Sequence, residues 1–187
     1  MQFMNYEEKL LNKLMIESMN AKEQAKLKFG FYIIMDTLKK SFFVYIPAFL
    51  LGTFYLTLIV HISFLFIRQV TYGWHSPTHK GCILGSVGTF MVLPYTLSLL
   101  NISAVLIYII GIFALSMIYL LGPIGTKVNR IHEVKRKVLR NKLNLRLFLL
   151  LISMYFIPVE ILKYIITGIV IQLTALFIQF YEMRGNK

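Results

Sequence analysis

The stretch RQVTYGWHSPTHKGC, from Arg68 to Cys82, concentrates the residue types able to do covalent chemistry. It holds the only cysteine, the only tryptophan, and His75 and His79, two of the chain's four histidines. A thiol beside an imidazole is the minimum for cysteine-nucleophile catalysis: the ring takes the proton and the thiolate attacks a carbonyl. Helix N-termini and nearby cations favour the thiolate, and Arg68, Lys80 and the basic segment from Lys127 to Arg146 supply positive potential. Ser76-Pro77 reads as a helix start, with Ser76 as N-cap and Pro77 at the first helical position, so Cys82 falls near a helix N-terminus. The plainer alternative is a small buried hydrophobe at Cys82 and two solvated histidines. His79 lies three residues before Cys82 and shares a helical face with it. His75 lies seven residues before, roughly 10 Å along a continuous helix, and meets the sulfur only if the chain before Ser76 folds back. Spacing alone favours His79. One cysteine permits no intrachain disulfide or cysteine-cluster metal site. Scattered histidines without an HExxH pattern disfavour metal chemistry, and the chain has no Gly-rich phosphate loop, so no cofactor is expected.

The elements that must position these residues are hydrophobic. The 187-residue chain is 57% hydrophobic and 15% charged, against about a quarter charged in a soluble domain. No charged residue falls between Ser41 and Ile67, or in the 46 residues from Gly81 to Thr126. A bilayer core takes roughly 20 apolar residues per helical span, so the second window holds two spans. Net charge is +12, with 20 Lys and Arg against 8 Asp and Glu. These basic residues sit at the ends of apolar runs, where they set topology and meet anionic lipid rather than nucleic acid. The N-terminal segment has no short apolar core with a small-residue cleavage site, so no removable secretory signal is expected.

Residues 1–28 set Leu10, Leu11, Leu14, Met15 and Met19 against Glu7, Glu8, Lys9, Lys13 and Glu17, the pattern of an amphipathic helix lying on the bilayer. Residues 29–187 form the membrane-embedded bundle of a single domain, 1–187. Its first apolar stretch is either one long helix over 41–67 or a hairpin of two spans, 29–51 and 53–69, turning at Gly52-Thr53. The hairpin must accommodate Asp36, Lys39 and Lys40, which is costly unless they pair or snorkel. Spans over 82–100 and 103–122 follow, turning at Asn101 and ending at Gly122-Pro123. A basic loop with eight Lys and Arg between Lys127 and Arg146 comes next. The last spans, 147–161 and 164–181, flank an outer turn with Glu160 and Lys163. Cytoplasmic segments carry the Lys and Arg excess. Residues 1–40, Arg68–Lys80, the 127–146 loop and the tail share one side only if an even number of spans separates each pair. The resulting fold class is an all-α membrane protein with about six transmembrane helices in three hairpins, an N-terminal amphipathic helix and both termini cytoplasmic. Ionisable residues inside a membrane also suit a transport path, so a non-enzymatic permease component, using His61, Asp36 and Glu160, is the rival class. On this pattern His61 packs in the bundle and Glu160 pairs with Lys163.

The run Arg68…Gly73-Trp74-His75, six residues, then Cys82 resembles the accessory gene regulator protein B (AgrB) family of bacterial quorum-sensing membrane endopeptidases. Chain length, the amphipathic N-terminus before the first hydrophobic hairpin, and GPIGTK at Gly122–Lys127 extend the likeness over nearly the whole chain. The resemblance implies a thiol protease of the bacterial cell membrane with Cys82 as nucleophile, His75 as base, and Arg68 and Gly73 as supporting residues. It thus places the base at His75 against the spacing preference for His79, and requires a bend near Gly73. His79 inside the motif gap is a departure, with an assisting or a solvated role. The implied partner is a small AgrD-like propeptide, cleaved at its C-terminal tail and cyclised to a lactone or thiolactone; a homodimer is implied as well.

Overall fold

The computed structural model describes residues 2–15, 19–74, 76, 78–125 and 131–184, with residues 2–5 and 79 described by their backbone alone. Among the described residues the chain is helical and contains no strand. The helices are α1 (Gln2–Leu14), α2 (Ala21–Leu50), α3 (Phe54–Thr71), α4 (His79–Val87), α5 (Leu93–Ser98), α6 (Ala104–Leu121), α7 (Glu133–Phe156) and α8 (Val159–Arg184). A π-helical turn, Gly88–Val92, joins α4 to α5 in one continuous rod. Pro94 offers no N–H and its ring crowds the preceding turn; the wider π turn just before it relieves that crowding.

The chain divides into two compact units, Met1–Phe43 and Val44–Lys187. In the first, α1 stops at Leu14, shorter than the helix expected over 1–28, and residues from Ala21 onward belong to α2. The break is made by a reciprocal cap. Asn20 Oδ1 accepts from the Glu23 N–H at 2.9 Å, and the Asn20 N–H donates to Glu23 Oε2 at 3.1 Å, which satisfies donors that a helix start leaves open. The three charges that fall within the apolar stretch of α2 are paired: Lys40 with Asp36 one turn away, and Lys39 with Glu7 of α1 at 2.5 Å.

In the second unit the chain turns at Leu51-Gly52, one residue before the Gly52-Thr53 turn of the hairpin reading. Four helical rods are long and apolar enough to cross a membrane: Phe54–Thr71, Lys80–Ser98, Ala104–Leu121 and Val159–Arg184. Their packing follows helical periodicity. On α8, Leu162, Ile166, Ile169, Leu173 and Leu176 are buried; on α7, Leu139, Leu143, Leu147, Leu150 and Met154. These stripes close one core with Ile67 and Val70 of α3 and Ile107, Ala114, Leu115 and Ile118 of α6. Outward residues such as Val105, Ile109, Phe113 and Leu120 of α6 stay exposed and apolar, as lipid-facing positions require.

Two boundaries differ from expectation. The basic segment is helical from Glu133, because Leu139, Leu143 and Leu147 recur every four residues within it and are buried. The last turn falls at Ile157-Pro158 rather than 160–163. A residue before proline avoids the α region, and Ile157 takes φ −89°, ψ 133°. Glu160 and Lys163 therefore lie in the first turns of α8, and Lys163 Nζ donates to the Leu97 carbonyl at 3.0 Å rather than pairing with Glu160.

Candidate functional site

Cys82 enters α4 within its first turns. The cap is Thr78, not Ser76: its extended backbone (φ −109°, ψ 141°) precedes the helix, and Thr78 Oγ1 accepts from the Gly81 N–H at 3.2 Å. The Cys82 N–H closes the first helical hydrogen bond, to the Thr78 carbonyl at 3.0 Å. Ser76 instead braces the approach, its hydroxyl donating to the same carbonyl at 3.3 Å. Pro77 lies outside the described residues. Cys82 itself is half-buried at the positive end of the α4 dipole.

Arg68 sits in the last turn of α3, within electrostatic reach of the Cys82 thiol. Its guanidinium is fixed from several sides. Nη2 donates to the Trp74 carbonyl at 3.1 Å, Nη1 to Gln172 Oε1 at 3.5 Å, and the Phe64 ring lies 5.2 Å away. Between Arg68 and Trp74 the chain leaves the helix through two residues at positive φ, Tyr72 (59°) and Gly73 (133°). This is the bend expected at Gly73. The far side of the bend rests on α8. The Trp74 N–H donates to the Ala175 carbonyl at 3.1 Å, Trp74 Nε1 to Glu182 Oε1 at 3.1 Å, and Gln172 Nε2 to Thr71 Oγ1 at 2.8 Å and to the Tyr72 carbonyl.

Of the residues singled out in the sequence, Arg68, Gly73 and Cys82 thus belong to one local assembly. His75 and the side chain of His79 lie outside the described residues; the His79 backbone opens α4, three residues before Cys82. His61 packs away from this assembly, its Nδ1 2.6 Å from the Tyr45 hydroxyl and its ring stacked 4.4 Å from Phe90.

Sequence reasoning missed the α8 platform and two arginines of the basic segment. Arg146 donates to the Phe66 carbonyl and, at 3.1 Å, to Gln69 Oε1, while Arg140 donates to the Gly122 carbonyl. Both stack on aromatic rings, Phe66 at 4.9 Å and Tyr119 at 4.4 Å. A segment read as a source of topology and positive potential therefore also ties α7 to α3 and to the end of α6. The available signal was the leucine repeat running through the charges.

The family model for Accessory gene regulator B matches residues 7–176. Accessory gene regulator protein B of Staphylococcus saprophyticus is 30% identical over 134 residues, 71% of this chain and 71% of that protein. Protein FsrB of Enterococcus faecalis is 30% identical over 131 residues, 69% of this chain and 54% of its own length. Accessory gene regulator protein B of Staphylococcus aureus is 26% identical over 157 residues, 84% of each chain. No solved structure matches. The matched span contains Arg68, Gly73, Cys82 and Gln172, and with it this chain belongs to the accessory gene regulator B family.

Proposed function

We propose that this chain is a membrane cysteine endopeptidase that removes the C-terminal tail of a small AgrD-like propeptide and cyclises what remains into a quorum-sensing signal. The observation that carries the reading is the placement of the sole cysteine at a helix N-terminus within electrostatic reach of a fixed arginine.

In the proposed reaction His75 accepts the Cys82 proton and the thiolate attacks the scissile carbonyl. The peptide C–N bond breaks, the imidazolium gives its proton to the leaving amine, and the propeptide stays bound as a thioester. A cysteine thiol or serine hydroxyl of the propeptide then attacks that thioester. A ring closes as thiolactone or lactone, and the Cys82 thiol is regenerated. The thioester conserves the energy of the cleaved bond, so ring closure needs no nucleotide. The basic face of α7 would draw an acidic tail. We further propose six spans, counting α2 and α7 with the four apolar rods. Both termini and the Arg68–Cys82 segment would then face the cytoplasm, where the propeptide is made and anionic lipid lies. Assembly as a homodimer belongs to the same reading.

The test is co-expression with the adjacent small peptide gene and mass spectrometry of the tail fragment. Cys82→Ala and His75→Ala should abolish tail release while His79→Ala retains it. Release by Cys82→Ala sinks the protease reading, and loss in His79→Ala with retention in His75→Ala moves the base to His79.

A further inference from the structure

We propose that Gln172, in the middle of α8, is the positioning residue that holds Arg68 and the Thr71–Trp74 turn in register with Cys82. The proposal deepens the endopeptidase reading and rests on it for its catalytic readout. Gln172 is fully buried, at 0% exposure, in a run that is otherwise almost entirely apolar. A primary amide offers one acceptor oxygen and two N–H donors, and each is used here. Oε1 faces the Arg68 guanidinium, while Nε2 donates to Thr71 Oγ1 and to the Tyr72 carbonyl. The orientation is dictated by chemistry. Arginine can only donate and a carbonyl can only accept, so a flipped amide would set donor against donor and acceptor against acceptor. The Thr71 hydroxyl donates to the Ile67 carbonyl at 3.0 Å, so it meets Gln172 as an acceptor.

Other side chains fail at this position for stated reasons. Leucine or methionine satisfies neither partner, glutamate has no donor for the turn when ionised, and asparagine is one methylene short. Gly73 belongs to the same device. A Cβ there would stand 3.2 Å from Gln172 Nε2 and 3.5 Å from the Ala175 Cβ, so the amide reaches the turn across the space that glycine leaves open. Gln172, Ala175 and Glu182 lie on one face of α8, and all three bond the segment between Arg68 and Trp74 or Trp74 itself. The Gln172 contacts, made by a fully buried amide, are rigid, because breaking one leaves a polar group without water to replace its partner.

The experiment compares Gln172→Met, Arg68→Met and the double variant in the full-length protein, with membrane abundance as the folding control. Gln172→Met should lower kcat for tail release about 10- to 100-fold, the usual cost of small misplacement, with KM unchanged. The second readout needs no turnover. Because Cys82 is the only cysteine, alkylation by iodoacetamide reports it alone. Its rate should change several-fold, and in the same direction, in Gln172→Met and in Arg68→Met, because both variants free the same segment leading to the thiol. The double variant should depart no further from wild type than Arg68→Met, since residues acting as a unit are not additive. Wild-type kcat and alkylation in Gln172→Met, or losses that multiply in the double variant, overturn the proposal. Should Gln172→Met fail to accumulate, Thr71→Val, which removes one acceptor while keeping its volume, carries the test: a reduced kcat supports the proposal and full turnover overturns it. The endopeptidase reading is judged separately, by whether Cys82→Ala still releases the tail, and alkylation judges Gln172 in either case.

Discussion

Gly73 meets two constraints at once, a φ of 133° and a neighbouring amide that leaves no comfortable room for a Cβ. Only glycine adopts that backbone without strain. Gly73→Ala should therefore lose at least about tenfold in tail release, through strain of about 1–3 kcal/mol confined to the turn, while membrane abundance stays close to wild type. Immunoblotting beside the fragment assay separates the two effects. At this scale the sequence singled out the candidate residues Cys82 and Arg68, because cysteine and arginine announce their chemistry by type. It did not display Gln172, since a single amide within an apolar run has no partner at a telling spacing; its partners are about a hundred residues away. The choice of cap was also hidden. Ser76 and Thr78 are both capping residue types, and only the hydrogen bond from Gly81 distinguishes them.

Between elements, the decisive contact is α3 against α8, the most extensive helix pair in the fold. It depends on Gly168. A Cβ at that position would run into the Val60 carbonyl and approach the Phe64 nitrogen at 2.9 Å, backbone atoms that cannot rotate aside. Gly168→Ala should push the two helices apart at a cost of about 1–3 kcal/mol, visible as a lower unfolding temperature in detergent. Gly111→Ala makes the control. Its Cβ would meet only the ends of Ile166 and Met154, at 2.7 and 2.8 Å, which can turn away; near-normal thermal stability is expected, and equal losses in both would contradict the α3–α8 account. Helix ends were readable where glycine or proline marks them, at Leu51-Gly52 and Gly122. Two signals were present but outweighed. Asn20-x-x-Glu23 is a capping box inside a pattern otherwise continuous with an amphipathic helix, and Pro158 ends α7 ahead of the more conspicuous charges at Glu160 and Lys163.

Across the whole molecule, four rods meet the demands of a bilayer by length and apolarity. Helices α2 and α7 carry charge into their length, and each pairs part of it: ion pairs on Asp36, Lys39 and Lys40, carbonyl bonds on Arg140 and Arg146. With charge handled in this way, the six-span proposal becomes a labelling experiment. In a Cys82→Ser background, single cysteines at Gly52, Asn101 or Pro158 should react with an impermeant maleimide in intact cells. Those at Lys80 or Lys135 should react only after permeabilisation. Opposite labelling at Lys80 and Lys135 would rule out an even number of spans between the basic segments. Hydrophobic run lengths made the helical class legible from sequence, whereas charge counting treated α7 as loop and helix in turn, because composition does not reveal where an arginine's hydrogen bonds go.

The dependence of the Arg68–Trp74 turn on Gln172, Ala175 and Glu182 sets an order in time. During synthesis Cys82 emerges 90 residues before Gln172, on the helix that braces the segment leading to it. A nascent chain already threaded into the membrane thus carries the Cys82 thiol but lacks the scaffold around Arg68. Helix α8, made after α3 and α4, completes the assembly.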